Sequence, residues 1–258
     1  MNRWRSSWKK GACAALAILA WSVLWPLGSA RAGEVGLAVA ANFLQPAREI
    51  GAAFAAKTGH RVRISAGPTG LLYAQISQGA PFDVFLAADQ ERARRAVEAG
   101  HAVAGSRFVY ATGRLVLYSA TPGLFDDEGV LRKGAFDRLA IANPATAPYG
   151  VAAMETLAVL GVRETLKARI VRGNSIAQTY QFVATRNAEL GFVALSQVIG
   201  RPGGSRWIVP EDLHRPIAQD AVLLTRGANK PAARAFLSFL RGREAGAVIA
   251  KFGYRAGA

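Results

Sequence analysis

Two turns of the chain place a small, uncharged polar residue where an apolar strand gives way to a helix. Asn42 lies in the turn at residues 39–43, and Thr69 lies in the turn at residues 66–70. The start of a helix presents free backbone N–H groups and the positive end of the helix dipole, a combination that suits an anion. Neither turn contains Lys or Arg, so neutral donors would hold the anion. The pattern predicts reversible capture of an anion rather than catalysis.

Two further helix starts in the second half of the chain carry the same kind of signal. Tyr149 lies in the segment Ala-Pro-Tyr-Gly at residues 147–150, and Ile176 follows Asn174 and Ser175. At the first position of a helix, the backbone N–H of Ile176 is free to donate.

Three of the four residues also have a purely structural interpretation. Asn42 suits a helix N-cap, Thr69 a turn, and Tyr149 a packed aromatic position. The functional interpretation of Asn42 is that its side-chain amide donates to a ligand at the same helix start. The four helix starts together, two in each half of the chain, nevertheless favour one anion site that all of them share.

Catalytic constellations are scarce in this sequence. The three histidines, His60, His101 and His214, lie far apart and lack metal-ligand spacing. The sequence contains no Gly-x-Ser-x-Gly elbow, P-loop or dinucleotide-binding fingerprint. The acidic residues 126–128 are typical of a solvated turn, and Asp89 is a good helix N-cap. We therefore predict no enzyme and no catalytic residue.

Apolar strands and amphipathic helices alternate along the chain. The pattern predicts strands at 35–41, 61–65, 84–87, 139–142, 169–171, 191–194 and 218–224, and helices at 44–57, 71–78, 89–99, 151–160, 175–185, 231–240 and 244–251. Such alternation is typical of α/β folds with parallel strands and right-handed crossovers. Two β-rich pieces at 108–110 and 115–118 flank Thr112 and Gly113, where we expect the chain to cross between two lobes. The ligand would lie in the interlobe cleft, beyond the carboxyl ends of the strands.

The first 32 residues have the pattern of a cleavable signal peptide. A basic start precedes an apolar stretch at residues 12–27, and Ala30-Arg31-Ala32 forms a small-x-small cleavage site. An N-terminal membrane anchor is the alternative, although Pro26 interrupts the apolar stretch. The only cysteine, Cys13, lies in this segment, so a chain cut after Ala32 would form no disulfide. We expect the remaining chain to be soluble and periplasmic.

The chain is strongly basic, with 32 Lys and Arg against 17 Asp and Glu and a formal net charge of +15. Five of the basic residues and none of the acidic ones precede residue 33, so the remainder still carries a positive charge. Such a field aids encounter with small anions. The basic residues are scattered and form no aromatic-interleaved stripe, so we predict no nucleic-acid binding.

Several segments, taken together, resemble the periplasmic molybdate-binding proteins of ABC importers, which are type II periplasmic solute-binding proteins. The matching segments are residues 40–43, 73–76, 79–85, 105–108, 143–144, 147–150 and 191–197. The resemblance covers essentially all of the chain after residue 32. It implies a two-lobed fold with two crossover strands as a hinge, lobe 1 being residues 33–112 and 219–258 and lobe 2 residues 113–218.

The resemblance also implies a ligand and a partner. The ligand would be the oxyanion molybdate or tungstate. Asn42 and Thr69 would contact it from lobe 1, and Tyr149 and Ile176 would contact it from lobe 2, these two chiefly through main-chain N–H groups. Metal would enter only as this oxyanion, with no other cofactor. The partner would be an ABC transporter permease, and the binding protein itself would be a monomer.

This chain departs from the family pattern at positions that often carry a hydroxyl. Ala41 stands where relatives often have Thr or Ser, Pro68 replaces the first residue of a Ser-Ser pair, and Ala194 replaces a tyrosine ligand of some members. Sulfate or another oxyanion therefore remains an alternative ligand. A periplasmic enzyme that uses an anion, or a two-lobed sensor domain with a membrane partner, remains an alternative from another functional class.

Overall fold

The computed structural model describes residues 32–256. The predicted signal peptide, apart from Ala32, lies outside these residues. Across the described part of the chain, no helix combines the length and the hydropathy that a membrane crossing requires.

The first of two sheets has six strands, in the order β11-β4-β10-β3-β1-β2. These strands are β1 (Glu34–Ala40), β2 (Arg61–Gly67), β3 (Val84–Leu86), β4 (Phe108–Gly113), β10 (Ile217–Leu223) and β11 (Arg255–Ala256). β1 pairs in parallel with β2 and β3, whereas β10 runs antiparallel to β3 and β4. The sheet is therefore mixed: the predicted parallel pairing holds for β1, β2 and β3, whereas β4, β10 and β11 pair antiparallel with their neighbours.

Helices cover both faces of this sheet. They are α1 (Leu44–Thr58), α2 (Thr69–Ser77), α3 (Gln90–Glu98), α9 (Pro231–Leu240) and α10 (Arg243–Lys251). One cluster of buried apolar side chains packs α1, α9 and α10 against one face of the sheet. A second cluster packs α2 and α3 against the other face. Because both faces are covered, β1 is a continuous buried run after Glu34.

Local sequence signals set the ends of these helices. α1 stops at Gly59, which adopts a left-handed conformation with φ of 72° and donates its N–H to the Ala55 carbonyl. α3 begins after Asp89, whose carboxylate accepts the backbone N–H of Arg92 at 2.8 Å, so the predicted N-cap role of Asp89 is confirmed.

The second sheet has five strands, in the order β7-β6-β8-β5-β9. They are β5 (Leu115–Ser119), β6 (Leu139–Ala142), β7 (Ile170–Gly173), β8 (Leu190–Ala194) and β9 (Ser205–Ile208). The helices are α4 (Gly129–Lys133), α5 (Pro148–Val159), α6 (Arg163–Leu166), α7 (Ile176–Ala184) and α8 (Leu195–Val198). β6 is parallel to β7 and β8, and β5 is antiparallel to β8 and β9.

The chain passes twice between the two sheets. β4 ends at Gly113 and β5 begins at Leu115, so Arg114 alone separates a strand of the first sheet from a strand of the second. The return passes from β9 into β10 through a short 3-10 turn at Glu211–Leu213. Below, "lobe 1" denotes the six-stranded sheet with its helices and "lobe 2" the five-stranded sheet with its helices. The α/β class with two sheets linked by two extended crossings is confirmed.

Candidate anion-binding site

The candidate site lies where two pairs of neighbouring parallel strands end. In lobe 1, β1 and β2 are paired so that Ala40 lies opposite Gly67 at their carboxyl ends. In lobe 2, β6 and β7 end in the same way, with Ala142 opposite Gly173. Helical turns follow all four strand ends, so helix starts lie side by side in each lobe. This is the edge at which α/β sheets bind ligands.

All four helix starts contribute residues to the lining of one small cavity. Its lining residues are Ala40, Ala41, Asn42, Gly67, Pro68, Thr69, Ala88, Ala147, Pro148, Tyr149 and Ile176. All are uncharged, and the four predicted site residues are among them. The space open to the centre of a water-sized sphere is about 10 Å³, close to the least that one water molecule needs, so the cavity is nearly closed in this arrangement.

Asn42 lines the cavity, but its side-chain amide donates to other groups of the protein. It lies in a 3-10 turn, Ala41–Phe43, that leads into α1, and no side-chain cap is formed there. Its Nδ2 donates to Gln219 Oε1 at 2.9 Å and to Tyr254 Oη at 3.0 Å. The N-cap interpretation was therefore wrong, and the amide donors are already engaged inside the protein. Helix geometry leaves the Asn42 backbone N–H without an intrahelical acceptor, so it is the group available to an anion.

Thr69 is the first residue of α2 and is 1% exposed. Its Oγ1 accepts the backbone N–H of Ala88 at 3.1 Å. Because a hydroxyl can accept and donate at once, the Thr69 hydroxyl proton remains available to a ligand in the cavity. Its backbone N–H, at the first helical position, is available as well. Pro68 precedes it as the N-cap and has no N–H to offer.

Tyr149 is the second residue of α5 and is buried in the core of lobe 2. Pro148 occupies the first position. Its lack of an N–H removes no helical hydrogen bond, because an N–H at that position has no intrahelical acceptor. The Tyr149 backbone N–H faces no intrahelical acceptor, whereas its hydroxyl accepts Gln219 Nε2 at 3.3 Å. Tyr149 thus combines the packed aromatic role and the predicted position at the cavity.

Ile176 is the first residue of α7, and its surroundings fix the start of that helix. Ser175 caps the helix by accepting the Gln178 backbone N–H at 3.2 Å. Gln197 of α8 donates to the Ile176 carbonyl at 3.1 Å and accepts the Ala194 N–H at 3.0 Å. The Ile176 N–H has no intrahelical acceptor at this position, and Ile176 lines the cavity.

Behind the cavity lies a buried, uncharged hydrogen-bond network that the sequence analysis did not identify. Gln219 Oε1 accepts Tyr110 Oη at 2.9 Å as well as the Asn42 amide. Tyr254 Oη donates to the Asn42 carbonyl at 2.8 Å and lies 3.0 Å from Ser196 Oγ. A sequence signal existed for Gln219, because two polar residues, Gln219 and Asp220, interrupt an otherwise apolar strand. No comparable signal marked Tyr254 near the end of the chain.

Burial keeps the tyrosines of this network neutral. It raises the pKa of Tyr254 to about 12, and it raises the pKa of Tyr110 and Tyr149 well above the usual value. Asp220, the neighbouring buried carboxylate, is paired with Arg107 at 2.6 Å. The anion site is thus backed by neutral hydroxyls and amides.

The two lobes touch at the rim of the cavity through backbone and side-chain hydrogen bonds. Gly70 N donates to the Thr146 carbonyl at 3.0 Å, and Ser196 Oγ donates to the Asn42 carbonyl at 2.9 Å. A Cβ on Gly70 would lie 3.2 Å from the Thr146 Cα, so glycine permits this close approach. The lobes are therefore in contact around the cavity.

The described residues offer no alternative metal centre. Between residues 32 and 256, no group of three or more His, Cys, Asp or Glu side chains could hold a metal ion. The chemistry that the cavity offers is hydrogen-bond donation, which suits a small anion that needs no acceptor.

Comparison with known proteins identifies the family. A model of the bacterial extracellular solute-binding proteins matches residues 35–255. The molybdate-binding protein ModA of Rhodobacter capsulatus is 57% identical over 225 residues, covering 87% of this chain and 89% of that protein. The ModA of Azotobacter vinelandii is 56% identical over 230 residues, covering 88% and 91%. These matches confirm the resemblance found in the sequence.

Solved structures agree with the fold described above. The periplasmic molybdate-binding protein of Azotobacter vinelandii superposes with a TM-score of 0.83 at 42% identity, covering 86% of this chain and 98% of that one. The sulfate-binding protein SubI of Mycobacterium tuberculosis shares the fold, with a TM-score of 0.73 at 14% identity and 87% of each chain covered. The chain belongs to the bacterial extracellular solute-binding proteins.

Proposed function

We propose that this chain is a periplasmic binding protein that captures molybdate or tungstate and delivers it to the permease of an ABC importer. The proposal rests on one observation above all: four helix starts, two from each lobe, converge on a small cavity whose lining is entirely uncharged. The relatives named molybdate-binding protein support the choice of ligand. The signal peptide, cut after Ala32, would deliver the chain to the periplasm.

The donors would come from both lobes. Asn42 and Thr69 would contribute backbone N–H groups from lobe 1, with the Thr69 hydroxyl as a further donor. Tyr149 and Ile176 would contribute backbone N–H groups from lobe 2. Hydrogen bonds to a charged group are worth about 1.5–3 kcal/mol each, so several around one dianion support affinities of about micromolar or tighter after desolvation.

The donor set also favours fully deprotonated anions. Molybdate, tungstate and sulfate are dianions that only accept hydrogen bonds, whereas phosphate near neutral pH carries a proton that needs an acceptor. None of the cavity-lining side chains is a carboxylate. We therefore expect phosphate to be rejected on chemical grounds, and molybdate to be separated from the smaller sulfate by the fit of the cavity.

We also propose that the protein is not an enzyme and works as a monomer without a further cofactor. The lining side chains include no His, Cys, Lys, Asp or Glu to act as an acid, base or nucleophile. Ligand contacts from both lobes would favour the closed arrangement by differential binding. Closure of the lobes, rather than chemistry, would be the signal to the permease.

Calorimetric titration of residues 33–258 tests this function. The protein is first partly unfolded, dialysed and refolded to remove bound ligand, and then titrated with molybdate, tungstate, sulfate and phosphate. We expect tight one-to-one binding of molybdate and tungstate and no heat with phosphate. Preference for sulfate would reassign the ligand within the same class, and absence of binding to all four oxyanions would overturn the proposal.

A further inference from the structure

We propose that Gln219 is the positioning residue that holds the anion-binding helix starts of both lobes through a single side-chain amide. The inference rests on the proposed function, because it concerns how the same site is held in a binding geometry. Gln219 does not line the cavity. It acts through Asn42 on one side and Tyr149 on the other.

Gln219 lies at the point where the returning chain enters lobe 1. It is the third residue of β10 and is fully buried. The register between β10 and β4 shifts between Gln219 and Asp220, so that Gln219 lies opposite Ala111 and Asp220 opposite Val109. Bulges of this kind redirect side chains near functional sites. Here Tyr110, the residue skipped by the shift, brings its hydroxyl to Gln219.

The hydrogen-bond capacity of the amide is used in a way that few side chains could reproduce. Its oxygen accepts two bonds, from Asn42 Nδ2 and from Tyr110 Oη, both 2.9 Å long. Its nitrogen donates to Tyr149 Oη at 3.3 Å. A carboxylate has no proton to donate and would add a charge beside the anion, and an aliphatic side chain offers neither donor nor acceptor. The amide serves both sides while remaining neutral.

These bonds join parts of the site that belong to different lobes. Asn42 follows β1 in the six-stranded sheet, whereas Tyr149 lies in α5, in the core of the other lobe. Gly113, the last residue of β4 before the chain crosses to lobe 2, leaves room for the bond between Gln219 and Tyr149. A Cβ at Gly113 would lie 2.1 Å from Tyr149 Oη and 2.6 Å from Gln219 Nε2. The absence of a side chain at this crossing is therefore a condition for the amide to meet the tyrosine.

The expected consequence is a longer lifetime of the bound state. Encounter with the anion depends on the open cavity and on net charge, neither of which Gln219 alters. Once the lobes are in contact, the helix starts must keep their N–H groups within hydrogen-bond distance of one ion. Loss of the shared amide lets the two halves of the donor set shift relative to each other, so we expect faster dissociation with little change in association.

The test uses two near-isosteric variants and their combination. Gln219→Met removes the amide while keeping the length of the side chain, and Tyr149→Phe removes only the hydroxyl that the amide meets. We expect Tyr149→Phe, which breaks the one bond to the amide, to weaken molybdate binding by about 3–10-fold. Gln219→Met removes all three bonds of the amide and should weaken binding at least as much. Because both changes break the same bond, the double variant should bind no more than about twofold more weakly than Gln219→Met. Affinity is measured by calorimetry, and dissociation by chasing radiolabelled molybdate with excess unlabelled ion.

Tyr110→Phe is the matched control. It removes a hydroxyl that donates to Gln219 Oε1 at 2.9 Å, whereas the Tyr149 hydroxyl accepts from Gln219 Nε2, and Tyr110 lies on β4 within lobe 1. We expect a lower unfolding temperature and a molybdate affinity within about twofold of the unchanged protein. An equal loss of affinity in Tyr110→Phe and Tyr149→Phe would point to general loosening of the fold and would overturn the positioning role.

The failure of this proposal is distinguishable from failure of the proposed function. If the unchanged protein binds no oxyanion, the function itself is wrong. If the unchanged protein binds molybdate but Gln219→Met and Tyr149→Phe retain its affinity and dissociation rate, the function stands and the positioning role falls. If the affinity losses of the two single variants multiply in the double variant, the two residues act independently. The bond between them is then excluded as the cause of the weaker binding.

Discussion

At the residue scale, the cavity depends on a few groups that each serve the fold and the ligand at once. Thr69 is the plainest case, because its hydroxyl oxygen accepts the Ala88 N–H while its proton remains available. Asn42 shows the opposite division, with its side chain committed to Gln219 and Tyr254 and only its backbone N–H left for an anion. We therefore expect loss of the Thr69 hydroxyl to change the affinity for the anion, and loss of the Asn42 side chain to change the stability of the protein.

Replacement of Thr69 by alanine should weaken molybdate binding. The variant loses one hydroxyl donor to the anion and leaves the Ala88 N–H without its acceptor, so we expect about a 10-fold loss of affinity. Thr69→Ser keeps the hydroxyl and should stay within about threefold of the unchanged protein. Calorimetry on both variants checks this, and equal affinity for the alanine variant and the unchanged protein would remove the Thr69 hydroxyl from the site.

Addition of a hydroxyl at Ala41 should strengthen binding. Ala41 lines the cavity and packs, partly buried, against the core of lobe 2. Ala41→Ser would add a donor at the first helix start, and one further charge-assisted hydrogen bond gives about 3–10-fold tighter binding of molybdate. Ala52→Ser, an exposed change in the middle of α1, serves as the control and should leave affinity unchanged. Weaker binding by Ala41→Ser would mean that the cavity has no room for the oxygen.

At the element scale, the site is built from strand ends that are in register. Ala40 lies opposite Gly67, and Ala142 lies opposite Gly173, so the turns that follow begin at the same height in each lobe. Small residues then allow the helices to start close to the strands. Gly150, the third residue of α5, is packed directly against the end of β6.

Replacement of Gly150 by alanine should displace the start of α5. The new Cβ would lie 2.1 Å from the Ala142 carbonyl oxygen and 2.8 Å from its carbon, and backbone atoms cannot yield as side chains do. We expect a loss of stability of about 1–3 kcal/mol together with weaker anion binding, because the Tyr149 N–H would move with the helix. Denaturant unfolding and calorimetry measure the two effects.

Gly246→Ala is the matched control for that change. Gly246 lies within α10, where a Cβ would meet no atom within 4 Å. Alanine is the better helix former, so we expect a gain of about 0.5–1 kcal/mol and unchanged affinity. A Gly150→Ala variant that behaves like Gly246→Ala would contradict the close contact between α5 and β6.

At the scale of the whole molecule, the two lobes share a buried polar centre next to the hinge strands. Tyr110, Tyr149 and Tyr254 are all buried there, and none is ionised at neutral pH. Because these hydroxyls remain protonated in the folded protein to higher pH than in the unfolded chain, the stability of the whole molecule acquires an alkaline limit.

The free energy of unfolding should be independent of these tyrosines below about pH 9 and should fall above pH 10. The unfolded tyrosine titrates near 10.0, whereas burial raises the pKa of Tyr254 to about 12. Between these values the unfolded chain releases the proton and the folded one keeps it, so Tyr254 alone contributes a loss of about 1.4 kcal/mol per pH unit. Denaturant unfolding from pH 7 to pH 11 measures the slope. Tyr254→Phe should make it shallower, and an unchanged slope would contradict the burial of that hydroxyl.

The sequence by itself determined the local elements and the places where helices begin. The apolar runs, the Asp89 cap and the stop at Gly59 are local signals, and each lies within a residue or two of its predicted place. The four helix starts at Asn42, Thr69, Tyr149 and Ile176 were also recognisable, because free N–H groups follow from chain direction alone. Short pieces such as β9, β11 and α4 were not predicted, since their few residues carry little periodicity.

Only the tertiary structure decided how those elements combine. The antiparallel entry of β10 between β3 and β4 depends on the return crossing and is not encoded in the strand itself. The side-chain direction of Asn42 was decided by Gln219 and Tyr254, which lie 177 and 212 residues away in the chain. A local pattern can specify that a helix starts at a residue, because its backbone geometry involves neighbours in sequence. It cannot specify which distant groups complete the hydrogen bonds of a buried amide, because that choice is made by packing.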